Sequence, residues 1–306
     1  MTAPLPPALA GERITSRGLA GALQVYVAGQ GPPLLLVHSV NAAASAAELR
    51  PLHEALAATH TVFTPDLPGF GASERSRRAY TPRLMTDALH DVLALIRSRG
   101  LAQPVDALAL SLGCEFLARA AVEAPTAFRT LALVSPTGMA GRTPLRGPPG
   151  STRGMPWLRA LLGGPGWGGA LFRALTRPGV IRYFLRRTWG ARGIDEDLWR
   201  YDVLTARQPG AEHAPLDFLA GNLFSADVYA LYERLTQPVW VVHGVRGDFT
   251  DYRLVEPLLA RPNWRRSVMP TGALPHFEQA DAFVEDYRAL LAGTAAAPAD
   301  DRSGRR

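Results

Sequence analysis

Leu108-Ala109-Leu110-Ser111-Leu112-Gly113-Cys114 is the stretch on which the reading of this chain turns. The run Val105 to Leu110, broken only by Asp106, has the length and composition of a buried strand. From Glu115 to Ala121 the pattern becomes helical, with Phe116, Leu117 and Ala120 recurring on one face. Ser111 falls at the turn between them, with Ala109 two places before it and Gly113 two places after it, an A-x-S-x-G pattern one methyl away from G-x-S-x-G. A turn this sharp strains the serine's backbone and needs small neighbours at plus and minus two so that strand and helix can approach. It would hold a hydroxyl above the sheet, with backbone N–H groups at the helix start aimed at developing negative charge. The same residues also fit an ordinary strand, turn and helix carrying an incidental serine.

Working outward, strands and helices alternate. Ala22–Ala28 places Leu23, Val25 and Val27 on one side, and Leu34–His38 is a short apolar run bounded by turn residues. A helical stretch over about 43–58 precedes a strand at Thr61–Pro65, which ends in the loop Asp66-Leu67-Pro68-Gly69-Phe70-Gly71-Ala72-Ser73. Pro82–Arg99 predicts a helix, and Thr130–Val134 a strand after the Ser111 unit. This spacing argues for an α/β fold with a doubly wound, mostly parallel sheet. Ser39, Asp66, Ser111 and Ser135 then fall at strand carboxyl ends, where ligands bind in such sheets. From Gly138 to Gln237 the alternation stops, and short helical runs separated by Gly and Pro predict a helical cap inserted over the sheet. Strand logic resumes at Val239–His243 and Arg266–Met269, with helices near Leu254–Leu259 and over Ala280–Leu291. The expected division is a core of 20–137 with 238–292, a cap of 138–237, and a disordered tail over 293–306. Residues 1–20 carry no clear signal.

Composition narrows the function classes. The chain has 306 residues and a formal charge of +6, and all 33 basic residues are Arg, a sign of GC-rich coding bias. No helix shows a basic stripe with base-reading residues, which argues against nucleic acid. No window approaches the roughly 18 unbroken apolar residues of a membrane span. The first ten residues do not read as a signal peptide. One cysteine, Cys114, excludes an internal disulfide framework and an all-Cys metal site. The expectation is a cytoplasmic protein with no cofactor and no metal.

Taken in order, these elements resemble an α/β-hydrolase with a helical cap, over roughly residues 20–292. The resemblance rests on Leu35-Leu36-Val37-His38, the Asp66–Ser73 loop, the Ser111 turn, His243-Gly244-Val245-Arg246-Gly247-Asp248 and Pro275-His276-Phe277-Glu278. It implies a catalytic triad in the chain order Ser, acid, His, with Ser111 as nucleophile. Asp248 is the acid by this resemblance and Asp251 the alternative; as a helix cap, Asp248 would have no part in chemistry. Backbone N–H groups of Val40 and Leu112 would form the oxyanion hole. The family commonly reads His-Gly where this chain has His38-Ser39-Val40-Asn41, and Ser39 and Asn41 either contact substrate or only hold the turn.

The histidine departs from the pattern. The family reads Gly-His-x-Pro-His-x-Glu, whereas this chain reads Gly272-Ala273-Leu274-Pro275-His276-Phe277-Glu278. Ungapped, Ala273 stands at the catalytic position and His276 matches the second, usually noncatalytic histidine. Three residues span about 4.5 Å along a helix and up to about 10 Å if extended. His276 is therefore the expected base only with a reshaped loop or a relaying water. A water-assisted or absent base ranks next, then His243; His38 reads as a loop brace. Cys114 reads as a small buried thiol. Glu115 is either a carboxylate favoured by the helix dipole or a group facing the space left at Ala273.

Between Met139 and Gly193 stand ten Arg and no Asp or Glu, interleaved with Trp157, Trp167, Phe172, Tyr183, Phe184 and Trp189. An amphipathic lid lining a pocket is the preferred reading, with peripheral contact to anionic lipid as the alternative. The expected function is hydrolysis of an ester or related acyl bond in a small hydrophobic substrate. A serine nucleophile argues against dehalogenation and epoxide opening. The alternatives are a ligand-binding protein that has lost its base, or acid–base lyase or isomerase chemistry in the same pocket.

Overall fold

The computed structural model describes residues 5–164 and 167–295. Strands β1 (Glu12–Gly18), β2 (Gly21–Ala28), β3 (Pro33–Val37) and β4 (Thr61–Pro65) precede β5 (Val105–Leu110), β6 (Phe128–Val134), β7 (Val239–His243) and β8 (Trp264–Val268). They form one sheet in the order β1-β2-β4-β3-β5-β6-β7-β8. The β1–β2 and β2–β4 pairs are antiparallel and all others parallel. Residues alternate between two cores as the two-residue period of a strand requires. In β5, Ala107 and Ala109 face one core while Leu108 and Leu110 face the other. Asp106, the one polar residue in that strand, is buried and accepts hydrogen bonds from Thr130 Oγ1 at 2.6 Å and from the Arg129 guanidinium.

Helices cover both faces. α1 (Arg50–Leu56) follows a 3-10 turn at Ala46–Leu49, so the helix expected from about 43 begins later. Ser45 caps that turn through its side chain. α2 (Pro82–Ser98) starts at Thr81, whose hydroxyl accepts the Leu84 N–H, with Pro82 at the first helical position. α3 (Gly113–Glu123) leaves Ser111 at once. Between β6 and β7 lie α4 (Pro156–Leu162), α5 (Trp167–Leu175), α6 (Pro178–Trp189), α7 (Glu196–Thr205), α8 (His213–Leu219) and α9 (Val228–Arg234). α10 (Glu256–Leu259), α11 (Pro275–Glu278) and α12 (Ala280–Ala295) complete the chain. The tail expected over 293–306 lies outside the described residues from 296 onward, and before that α12 continues through Ala295. Among the described residues no helix is long and apolar enough to cross a membrane.

At Gly113, the start of α3 packs against the residue that follows β3. A Cβ there would lie 2.5 Å from the His38 carbonyl oxygen, an unyielding backbone neighbour. That contact is the physical content of the small residue two places after Ser111. Replacing Gly113 with Ala is expected to cost about 1–3 kcal/mol by overpacking, lowering Tm by several degrees in a thermal melt. An unchanged Tm would contradict the contact.

Candidate active site

Ser111 has φ +49°, in the left-handed region that non-glycine residues rarely occupy. Its N–H donates to the Val134 carbonyl at 2.8 Å, and its own carbonyl accepts from Cys114 N–H at 3.1 Å. These bonds fix the backbone while the side chain stands at the carboxyl end of β5. Among the described residues Oγ makes no hydrogen bond. The N–H groups of Val40 and Leu112 also have no acceptor there, although both residues are buried. Ser111, Val40 and Leu112 line one cavity of about 360 Å³. Its other walls are mostly apolar, with Leu175, Ile181, Phe184 and Leu185 from α5 and α6, and Phe218, Phe224 and Phe249 beyond them.

The loop after β3 owes its shape to Glu48. One carboxylate oxygen accepts the Ser39 N–H at 2.8 Å, and the other accepts Ser39 Oγ at 2.9 Å and Asn41 Nδ2 at 2.8 Å. Asn41 Oδ1 accepts the Ala43 N–H at 2.7 Å. Burial pushes the Glu48 carboxyl above its ordinary range, and these donors oppose the shift. Ser39 is thus turned onto Glu48, while Asn41 lines the cavity with both ends of its amide engaged. The turn-holding role weighed for these two residues is the one their hydrogen bonds describe.

The structure does not bring the expected acid and base to Ser111. His276 is fully buried in α11 and its Nε2 donates to the Glu48 carbonyl at 2.8 Å. A carbonyl only accepts, so Nε2 carries the proton and Nδ1 is a bare, buried lone pair without a partner. Burial lowers the pKa of this imidazole to about 4. Asp248 Oδ2 instead accepts from Arg187 Nε at 2.5 Å, joining the β7 loop to α6. Asp251 binds the Gly141 N–H at 2.9 Å and Arg253 Nε at 2.8 Å. His243 donates from Nδ1 to Gly244 O at 2.9 Å and stacks on Tyr252, ring centroids 4.0 Å apart. His38 braces the loop, Nδ1 to Ser39 O at 2.5 Å and Nε2 accepting Leu67 N–H at 2.9 Å. None of the seven imidazoles hydrogen-bonds to Ser111.

The reason lies at Ala273. Its N–H donates to Thr188 O at 2.9 Å and its carbonyl accepts Ser135 Oγ at 2.8 Å. A Cβ on the adjacent Gly272 would lie 2.4 Å from Trp189 O. One on Gly190 would lie 2.3 Å from the backbone of Gly247, and one on Gly244 would lie 2.0 Å from Gly272 O. The end of α6, the β7 loop and the β8 loop therefore pack backbone against backbone where the family places its histidine.

Two further acids are placed by the fold. Glu115 does not face Ala273: it accepts Thr137 Oγ1 at 2.6 Å and the Ser225 N–H at 2.7 Å, and burial raises its pKa to about 7. Cys114 is buried against the Ala109 carbonyl. Asp202 was missed in the sequence. It lines the cavity from α7, 2% exposed. The available signal was its place on the buried stripe Leu198, Tyr201, Asp202 and Thr205.

The model of the alpha/beta hydrolase family matches residues 25–286. The chain belongs to that family. Solved structures similar to it include a 2-hydroxy-6-oxo-6-phenylhexa-2,4-dienoate hydrolase from Rhodococcus, 22% identical at a TM-score of 0.68 over 92% of this chain and 99% of the other. A thermophilic esterase from Thermogutta terrifontis is 20% identical at 0.68 over 92% and 98%. A carboxylesterase from Bacillus subtilis is 16% identical at 0.68 over 93% and 92%. At these identities the likeness is one of fold. Among curated proteins none matches the sequence.

A His276→Gln variant tests the buried, neutral imidazole. The folded pKa of about 4 lies below the ordinary histidine value of 6.5, so between those values the unfolded state binds more protons. The histidine's contribution is therefore complete above about pH 6.5 and is lost as pH falls toward 4. The Tm advantage of wild type over the variant is expected to shrink from pH 7 to pH 4.5. A pH-independent difference would contradict the burial of His276 in the neutral form.

Proposed function

We propose that the protein is a serine hydrolase of low turnover, acting on an ester or related acyl bond of a small apolar molecule. The observation that carries this reading is the strained Ser111, its hydroxyl unpartnered, sharing an apolar cavity with the unpartnered N–H groups of Val40 and Leu112. Oγ attacks the acyl carbon and forms a C–O bond while the two N–H groups hold the resulting oxyanion. The bond to the leaving group then breaks. The serine proton passes to water in the cavity and from there to the departing group. Water attacks the acyl-serine in the same way and regenerates the hydroxyl.

Because no imidazole contacts Oγ, ionising the serine falls on solvent. By analogy with serine-protease variants lacking triad members, the loss is on the order of 10⁶ in turnover, leaving roughly 10³–10⁴ over water. Acyl bonds whose leaving groups depart without protonation, aryl esters and thioesters, suit such a site. The second reading is a binding protein without turnover. It is favoured by the hold of Glu48 on His276 and by the closed backbone packing at Ala273.

Fluorophosphonate labelling separates the two readings. The expected result is a single adduct by intact mass, absent from Ser111→Ala, together with slow acyl transfer from p-nitrophenyl butyrate. Folded protein that takes no label would replace the hydrolase with the binder.

A further inference from the structure

We infer that Asp202 is the recognition residue for an amine carried by the cavity's ligand. The cavity beside Ser111 is lined mostly by aliphatic and aromatic side chains; on its cap side the polar groups are Thr188, whose hydroxyl already donates to the Phe184 carbonyl at 3.0 Å, and the Asp202 carboxyl. Asp202 is 2% exposed, and its Oδ1 is buried without a hydrogen-bond partner. Among the described residues no hydrogen bond or ion pair engages either oxygen of the carboxyl. A buried polar group left unmade is costly, and a buried charge without a counter-charge more so. Such a group in the wall of an accessible cavity is satisfied by what enters the cavity.

The surrounding charges select among entrants. Glu48 lies close enough that its negative charge, after burial itself, drives the Asp202 carboxyl well above its usual range. The Glu48 carboxylate already accepts three hydrogen bonds from Ser39 and Asn41. Arg50 acts on Asp202 in the opposite sense without forming an ion pair with it, and Asp195 adds to the negative field. An anionic ligand head would meet the Asp202 carboxyl within the negative field of Glu48 and Asp195 and is disfavoured. A hydroxyl supplies one donor and no charge. A primary or secondary ammonium supplies two or more donors and the positive charge that lets the carboxyl ionise. The ligand class is thus an apolar molecule with one amine. That such a molecule is also the substrate, its acyl bond at Ser111, rests on the hydrolase reading above; the amine site does not.

The test compares 4-phenylbutylamine, 4-phenylbutan-1-ol and 4-phenylbutyrate by calorimetric titration into Ser111→Ala protein, so that turnover plays no part. The amine is expected to bind at least tenfold more tightly than the alcohol, and the carboxylate more weakly than either. In the Ser111→Ala protein carrying Asp202→Asn, the amine's advantage should fall to within twofold of the alcohol. Equal binding of amine and alcohol, or an amine advantage that survives Asp202→Asn, would overturn the assignment. The ligand series on the parent protein decides the matter even if Asp202→Asn does not fold. Failure of serine labelling with a retained amine preference would sink the hydrolase reading alone.

Discussion

A serine backbone held at φ +49° is the constraint on which the functional half of the molecule depends. Strain of this kind costs on the order of 1–3 kcal/mol and persists only where the surroundings leave no alternative. Here the Ser111 N–H is tied to Val134 of β6, and α3 begins at once beneath β3, with Gly113 against the His38 carbonyl. The turn presents a hydroxyl and frees the Leu112 N–H, because both would otherwise continue the strand or the helix.

Glu48 organises the opposite wall. Its side chain folds the loop carrying Ser39, Val40 and Asn41, and its main-chain carbonyl holds His276 by Nε2. One residue therefore shapes the Ser39–Asn41 loop and also engages the His276 imidazole. The backbone packing of Gly190, Gly244 and Gly272 holds the end of α6 against the loops after β7 and β8, beside Ala273. The arrangement leaves the Ser111 hydroxyl and the Val40 and Leu112 N–H groups unpartnered in one cavity, with no imidazole hydrogen-bonded to the serine.

What was legible in the sequence was local. β5, the Ser111 turn and α3 follow from an apolar run, small flanking residues and a change of period, and the structure places them within a residue or two of expectation. β1 was illegible because it is a mostly exposed edge strand, with Arg13, Thr15 and Arg17 giving no apolar alternation. α5 was missed among the Gly residues that surround Trp167. The family resemblance pointed to Val40 and Leu112, whose N–H groups have no acceptor among the described residues. The fates of His276 and Asp248 were not local. One hangs on a carbonyl 228 residues away, and the other on Arg187, 61 residues away. Asp202 was hidden for a related reason: an acid within an apolar stripe shows its role only once the cavity beside it exists.

The dependence of Ser111 reactivity on pH, measured as the rate of its phosphonylation by a fluorophosphonate from pH 5 to pH 10, tests most directly the absence of a contacting base. With solvent as the only proton acceptor, the logarithm of the rate should rise with pH at a slope near one and show no plateau. A sigmoidal profile levelling above an apparent pKa in the imidazole range would mean that a histidine reaches the serine after all.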